Sequence, residues 1–492
     1  MFDYIIVGGG IGGVITYNIL KKLGKNVLLI EKLNYLGGCA GTFEKDGMFY
    51  NVGASTLVGL DEGLPLDILL KILQLDKKNL PVIEIDPSIV VYVGDKVIYR
   101  YTDYEKAFEE INKNFYHSNN KELWEKIKKT SSKNWESIYK MLPFNPKNLK
   151  TLTKTALKNI PYLLSTFKEN TFTAKDVITQ YVKNPDKDYI SFLNSQILMT
   201  TQCYWDEVNF SFASMGLTYP NLKNYYVVGG MSNFLENITK DKKDILRKTK
   251  VLSISKKKDV FTVKTNKGNF YTKKVILNRT IWDYCQLLDE NLKNSYCEKN
   301  IKKYSKIWSS ATLYFWIEDK ENILNNHHYQ VLHERNPYTD SYSFFVSVAD
   351  QIDNRGGKKS ITISTHCKID FWENLTKDDY ENKKERLKEF ILNKLYKKVP
   401  AFGKLVKGDV MVGTPNTFKK YTERYRGSVG GIPLRREYTM LNYPVGITPI
   451  KNLYLVGDSV FPGQGYPGVC VGVFNLLLHV EEDFREVFYR HI

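Results

Sequence analysis

Apolar and polar positions change period several times along the chain. Residues 4–7 are uninterrupted apolar positions without alternation, the mark of a strand buried on both faces, and they run directly into Gly8-Gly9-Gly10-Ile11-Gly12-Gly13. Ile15, Ile19 and Leu23 then recur at helical spacing up to Gly24, which predicts a helix stopping there, and residues 27–30 form a second apolar run. Residues 453–456 repeat the buried-strand pattern near the other end, followed by glycines and a helix expected to begin near Gly468. In between, Trp124, Ile127, Trp135, Ile138 and Leu142 recur at helical spacing and predict a largely helical insertion over 81–226 whose apolar face is core. Period-two alternation over 251–263 reads as a hairpin. The same pattern over 312–317, 344–348 and 361–364 predicts a sheet inside a second insertion, 289–440.

These elements predict an α/β fold: a discontinuous Rossmann-like dinucleotide-binding domain built from 1–80, 225–288 and 441–492, with an inserted α+β substrate domain, sheet plus helices, from 81–224 and 289–440. At 492 residues the chain exceeds what one simple core carries, which agrees with two units.

Each glycine of the first loop has a physical task. Gly8 permits the tight turn, Gly10 lets backbone approach a pyrophosphate, Gly13 lets helix and strand pack closely, and the amides of Ile11 and Gly12 open the helix toward the anion. Glu31 stands about 20 residues beyond the first glycine, where a carboxylate accepts hydrogen bonds from a ribose. Lys32 follows it. The next motif, GGCAGTFEKDGMFYNVG over 37–53, brings Gly37, Gly38, Cys39, Ala40, Gly41 and Thr42 close to phosphate, with Asp46-Gly47 as a hairpin turn. At the far end Gly457 and Asp458 stand at the carboxyl end of a strand, where open parallel sheets place their ligands, and Gly468 and Val469 open the following helix.

The strand–glycine–helix–strand–acid order, the GG-x-x-GTF extension after the acid and the later DG resemble the flavin-binding amine oxidase superfamily. GDSVFPGQG (457–465) and GTPNTFKKYTERYRGSVGGIP (413–433) are similar to its phytoene desaturase, carotenoid isomerase and retinol saturase branch. This resemblance implies FAD as cofactor. It places the backbone of Val251 against the adenine, and it makes the GGM turn at Gly229-Gly230-Met231 a return to the flavin domain. A helix starting near Gly468 would aim its amides at the flavin pyrimidine edge, and the sheet of the second insertion would lie beneath the ring.

The formal charge of +17 with a pI near 9.2 changes this picture little, because lysines are spread rather than clustered and no nucleic-acid module is recognisable. A basic surface does suit peripheral contact with a membrane. Six cysteines without a CxxC pair suggest neither a disulfide framework nor a metal site, and a reducing, cytoplasmic setting is expected, peripheral to a membrane at most. The histidines show no metal spacing: His327 and His328 are adjacent and read as surface or structural residues. Cys39 and Cys470 read as buried thiols rather than flavin links.

Hydride transfer to a flavin needs placement of a C–H bond rather than an obligatory acid and base. Catalytic residues are therefore not identified; Tyr466, Arg424 and Arg426 are candidates for the substrate cavity, the arginines with Glu423 or Glu437 as ion-pair partners. The expected reaction exchanges hydride between flavin and an apolar polyene or isoprenoid, by desaturation, saturation or isomerisation. With one glycine fingerprint only, a small acceptor, quinone or oxygen, is expected to reoxidise the cofactor. The alternatives are a flavin amine or amino-acid oxidase and a non-catalytic flavoprotein.

Overall fold

The computed structural model describes every residue from Met1 to Ile492 other than Ala54 and Thr439, and every side chain other than those two and Lys154, Leu163 and Met440. Thr439, near the expected end of the second insertion, thus lies outside the described residues.

The apolar runs at both chain ends become neighbouring strands of one sheet. Phe2–Val7 lies between Val27–Ile30 and Gly268–Leu277, parallel to both. Ile245–Leu246 adds outside Val27–Ile30, and Leu453–Leu455 pairs in parallel with the last residues of Gly268–Leu277. The expected hairpin, Val251–Lys257 with Val260–Thr265, extends the sheet through antiparallel pairing to the first residues of Gly268–Leu277. Parallel strands are covered on both faces, which is why Ile5, Ile6, Leu29, Ile276 and Leu453 are all fully buried. Helix Ile11–Lys22 packs against helix Gly465–Val480, so the two termini share one core.

A second, seven-stranded sheet runs in the order Val406–Gly413, Trp308–Glu318, Lys358–Lys368, Ser343–Val348, His328–Leu332, Ile89–Val93, Lys96–Arg100. The first insertion is therefore not only helical: its two strands over 89–100 join this sheet, His328–Leu332 and Ile89–Val93 being the one parallel pair among the described strands of this second sheet. Alternation divides the faces. Leu313, Phe315, Val331, Val346, Ile361 and Ile363 pack against Leu387, Ile391 and Leu395 of helix Lys377–Lys398. The opposite face turns toward the first sheet.

Helices Asn120–Ser137, Lys187–Thr201 and Phe210–Thr218 form a further core around Trp124, Ile127, Phe192 and Phe210. Trp135 and Ile138, expected in that core, are only half-buried and line a cavity instead. Against the reading of unpaired cysteines, Cys285 and Cys297 form a disulfide across a loop of sequence separation 12; the other four cysteines are free.

Candidate functional site

A cavity of about 580 Å³ lies where the two chain ends meet the second sheet, within the range of small-molecule and cofactor sites. From the N-terminal unit it is lined by Gly8, Gly10, Ile11, Gly12, Glu31, Lys32, Gly37, Gly38, Cys39 and Ala40. Val251 joins from the hairpin, and Gly457, Asp458, Gly468, Val469, Tyr466 and Arg424 from the C-terminal part. Gly13, Gly41 and Thr42 stand behind the lining. A Cβ at Gly13 would fall 2.0 Å from the Gly8 carbonyl oxygen, and one at Gly41 2.8 Å from the Tyr35 ring. Thr42 donates its amide to Ser232 Oγ at 2.8 Å and accepts from the Ser232 amide at 3.1 Å, tying the Asp46-Gly47 hairpin to helix Met231–Ile238.

Two helices open into this cavity without a side-chain cap. Helix Ile11–Lys22 begins after Gly10, and helix Gly465–Val480 after Gln464, three residues before the expected start. Pro467 does not prevent this, because a proline is tolerated in a first turn, where its missing N–H costs no helical bond. First-turn amides have no intrahelical partner, so both termini present donors and a positive dipole end to whatever fills the space.

The loop is held from beneath. Glu31 accepts from the amides of Gly9 at 2.6 Å and Leu33 at 2.7 Å; burial raises its pKa, and these amide bonds work in the opposite direction. Asn278, which the sequence reading passed over, sits at the end of strand Gly268–Leu277. With its carboxamide oxygen toward Gly10 N at 3.0 Å and its nitrogen toward Val456 O at 3.2 Å, it joins the first glycine loop to the last strand. Gly10 is needed here for that side chain: a Cβ would lie 2.3 Å from the carboxamide atom of Asn278 that faces it. The available signal was the apolar run of residues 275–277 ending in a polar residue.

Arg424 is anchored through Nε and Nη2. Its Nη2 donates to both oxygens of Asp458 at 2.9 Å and to Gly430 O at 2.8 Å, and its Nε to Ser428 O at 2.7 Å. Burial opposes its charge, but the Asp458 carboxylate outweighs burial and raises its pKa. The expected partners, Glu423 and Glu437, are therefore replaced by Asp458. Arg426 likewise pairs with Glu373 and Asp370 rather than with those glutamates, and it does not line the cavity. Glu423 instead faces Lys250 at 2.6 Å and Lys32 at 3.3 Å.

Burial pushes the Cys39 thiol up despite nearby Arg424, so it stays protonated at the cavity wall. Cys470 is buried away from the lining, its Sγ 3.3 Å from Pro65 O. Tyr466 is nearly enclosed, edge-on to Phe234 at 5.8 Å, with its hydroxyl lacking a partner among the described residues. His327 bonds Asp350 at 2.7 Å; His328 is buried, and burial lowers its pKa to about 3, so it is neutral and structural. His366, unremarked in the sequence, is the histidine that lines the cavity.

The family profile of the NAD(P)-binding Rossmann-like domain matches residues 6–71. A chloroplastic prolycopene isomerase of Daucus carota is 28% identical, covering 95% of this chain and 78% of that protein. An all-trans-retinol 13,14-reductase of Danio rerio is 24% identical (97% and 87%), and a 1-hydroxycarotenoid 3,4-desaturase of Flavobacterium sp. (strain P99-3) 25% (94% and 96%). Among solved structures, an oxidoreductase from Methanosarcina mazei aligns with TM-score 0.62 at 17% identity, covering 96% of this chain and 99% of that one. A putrescine oxidase variant from a redesign of cofactor binding aligns with TM-score 0.63 at 14% identity, covering 99% of each. At such identities the structures speak to the shared fold. The homologues are isomerases, desaturases and reductases, matching the carotenoid isomerase and desaturase type, and the profile over residues 6–71 is that of a dinucleotide-binding domain.

Proposed function

From a chain whose homologues along nearly its whole length are prolycopene isomerases, a carotenoid desaturase and a retinol reductase, we propose an FAD-dependent oxidoreductase acting on an apolar polyene or isoprenoid. The observation that carries this reading is the single cavity into which two uncapped helix N-termini, one from each end of the chain, open together. FAD fits it, having an anionic pyrophosphate for one helix and, at the other, a pyrimidine edge that gains negative charge on reduction. Bound there, the flavin would supply the hydride chemistry.

The chain's own residues then bind and orient. Ile11 and Gly12 offer amides to the pyrophosphate, Lys32 and the backbone of Gly37, Gly38, Cys39 and Ala40 support it, Glu31 holds the ribose and Val251 the adenine. Gly457 and Asp458 hold the ribityl side, and Gly468 and Val469 the ring edge. Arg424 fixes the Asp458 carboxylate. Trp135, Ile138, Met199, Phe212 and Met215 give the cavity an apolar wall that excludes water and accepts a polyene. On this reading 1–80, 225–288 and 441–492 form the flavin domain, 81–224 and 289–440 the substrate domain, and a quinone or oxygen reoxidises the cofactor. The purified protein should be yellow. Under anaerobic conditions, polyenes should bleach the flavin or undergo a shift in their own absorption; inertness toward all of them, with bleaching by amines, would replace this reading by amine oxidation.

We propose in addition that the protein meets membranes through residues 147–172. No helix among the described residues is long and apolar enough to cross one. Yet Leu149, Leu157, Leu164 and Phe167 on the short helices here are 65–74% exposed, an arrangement solvent alone does not favour. Five lysines accompany them against one glutamate, Glu169, which is itself paired with Lys126. An apolar surface studded with lysines suits an anionic lipid headgroup layer. Leu164→Asp with Phe167→Asp should weaken co-sedimentation with phosphatidylglycerol vesicles at least about tenfold, at about 1.5–3 kcal/mol per buried large side chain. Unchanged sedimentation would dismiss this surface.

A further inference from the structure

The sheet wall of the cavity is more polar than a hydrocarbon requires. Strand pairing sets Ser310 opposite His366 and Thr312 opposite Ser364, Ser364 opposite Phe345 and Phe345 opposite Gln330. Directly opposed residues share a face, and from this face Ser310, Gln330, Ser343, Phe345, Ser364 and His366 reach the cavity. The same strands carry Leu, Val, Ile and Phe on their other side, so alternation alone does not force polar residues here.

His366 is the centre of the patch. Its ring stands edge-on to Trp308 at 5.8 Å and is partly exposed to the cavity. Burial alone shifts its titration, down to about 4, with no hydrogen-bond partner offsetting it among the described residues. At neutral pH it is therefore an uncharged imidazole with one donor and one acceptor nitrogen.

A cation stands behind the wall. Arg100 is completely buried, lies 5.7 Å from the Trp124 ring and 5.5 Å from that of Phe192, and has no carboxylate within ion-pair distance among the described residues. It donates to Leu217 O at 2.6 Å and, through Nη1, to Gln196 Oε1 at 2.9 Å. Gln196 Nε2 donates in turn to Gln330 Oε1 at 2.6 Å, and Gln330 Nε2 points to Ser343 Oγ at 3.5 Å. Both glutamine oxygens accept from the arginine side, and Gln330 Nε2 is shared between Ser195 O at 3.4 Å and Ser343 Oγ. A Ser343 hydroxyl that accepts from Gln330 is free to donate its proton inward, to an acceptor.

Building on the polyene reading above, we propose that Ser343, Ser364 and His366 bind an uncharged oxygen, a hydroxyl or carbonyl, at one end of the substrate, which makes the substrate an oxygenated polyene or isoprenoid rather than a hydrocarbon. A hydroxyl both donates and accepts, as do the serines and the neutral imidazole. A carboxylate is disfavoured: Arg100 is buried two side chains behind the wall, and the neutral donors of Ser343, Ser364 and His366 do not repay the desolvation of a full charge. A site built to hydrogen-bond an oxygen also rejects the analogue lacking it, since its own polar groups are then left unpaired.

The test compares three polyenes of equal length, ending in a methyl, a hydroxymethyl or a carboxylic acid group. Each is titrated anaerobically into the flavin-loaded protein and followed by polyene and flavin absorption. The alcohol should bind about tenfold or more tightly than the hydrocarbon and the acid. His366→Leu should erase this preference, the alcohol binding more weakly and the hydrocarbon at least as well as before, with flavin retained, and the milder Ser343→Ala should reduce it several-fold. Equal binding of alcohol and hydrocarbon by the wild type overturns this proposal alone. Loss of flavin from His366→Leu overturns it too, by assigning the patch to the cofactor. Binding of none of the three overturns the polyene reading and this proposal with it.

Discussion

Gly13→Ala should give a protein that purifies without flavin and unfolds at markedly lower denaturant than the wild type. The added methyl would sit 2.0 Å from the carbonyl oxygen of Gly8 and 3.2 Å from its carbon. Both are backbone atoms, so no rotamer change relieves the overlap, and helix Ile11–Lys22 must withdraw from strand Phe2–Val7. That helix is buried from Gly12 to Leu20 and packs on helix Gly465–Val480, so withdrawal also strains the contact between the two termini. Overpacking of this kind costs about 1–3 kcal/mol and more when backbone has to move. It also draws the amides of Ile11 and Gly12 back from the cavity they open into. Gly24→Ala, just beyond the same helix, is the control. Its methyl meets nothing within 4 Å, and only the left-handed backbone there, with φ +73, opposes it, at about 1–2 kcal/mol. Flavin absorbance per mole of protein and the denaturation midpoint separate the two variants. Full flavin content in Gly13→Ala would mean that helix–strand contact does not set the cofactor site.

What the sequence disclosed and what it hid follow from how far apart the causes lie. The strands at both ends were legible because parallel strands buried on both faces leave uninterrupted apolar runs, and the helix starts because glycine spacing is local. Gly268–Leu277 was missed: its outer part alternates exposed Asn269, Tyr271 and Lys273 with half-buried Phe270 and Lys274 and buried but polar Thr272, and only its last three residues are an apolar buried run. Asn278 went with it. The strands over 89–100 carried their own turn in Gly94-Asp95, but the helical period further along hid them. Trp135 and Ile138 show another limit, since periodicity reveals which face is apolar and not whether that face meets a core or a ligand cavity. The partner of Arg424 is set by a chain crossing and that of Cys285 by the path of a short loop, neither of which a local pattern encodes. The polar residues Ser343, Ser364 and His366 stand in the sequence among apolar ones without a clean alternation, and they acquire meaning only when the sheet is known to face the other unit.

The second large effect concerns the Arg424–Asp458 pair. Arg424→Met should lower folding stability by about 3–5 kcal/mol, because it strands a carboxylate in a low-dielectric site and removes the donors that satisfy Ser428 O and Gly430 O. Asp458→Asn should cost less, since the amide oxygen still accepts from Arg424 while the attraction of full charges is lost. Combining the two changes removes both buried charges, so the double variant should regain part of what Arg424→Met loses, with a coupling energy on the order of 1–3 kcal/mol in a double-mutant cycle. Flavin content is expected to behave differently. The pair joins the stretch before the last strand to the turn at Gly457 and Asp458, and both residues line the cavity, so stability can return in the double variant while cofactor retention does not. Denaturant midpoints with flavin stoichiometry on all four proteins decide between two roles. Parallel recovery of both quantities would make the pair a structural clamp that reaches the flavin only through the fold, whereas recovery of stability alone would place the Asp458 carboxylate in direct service of the cofactor.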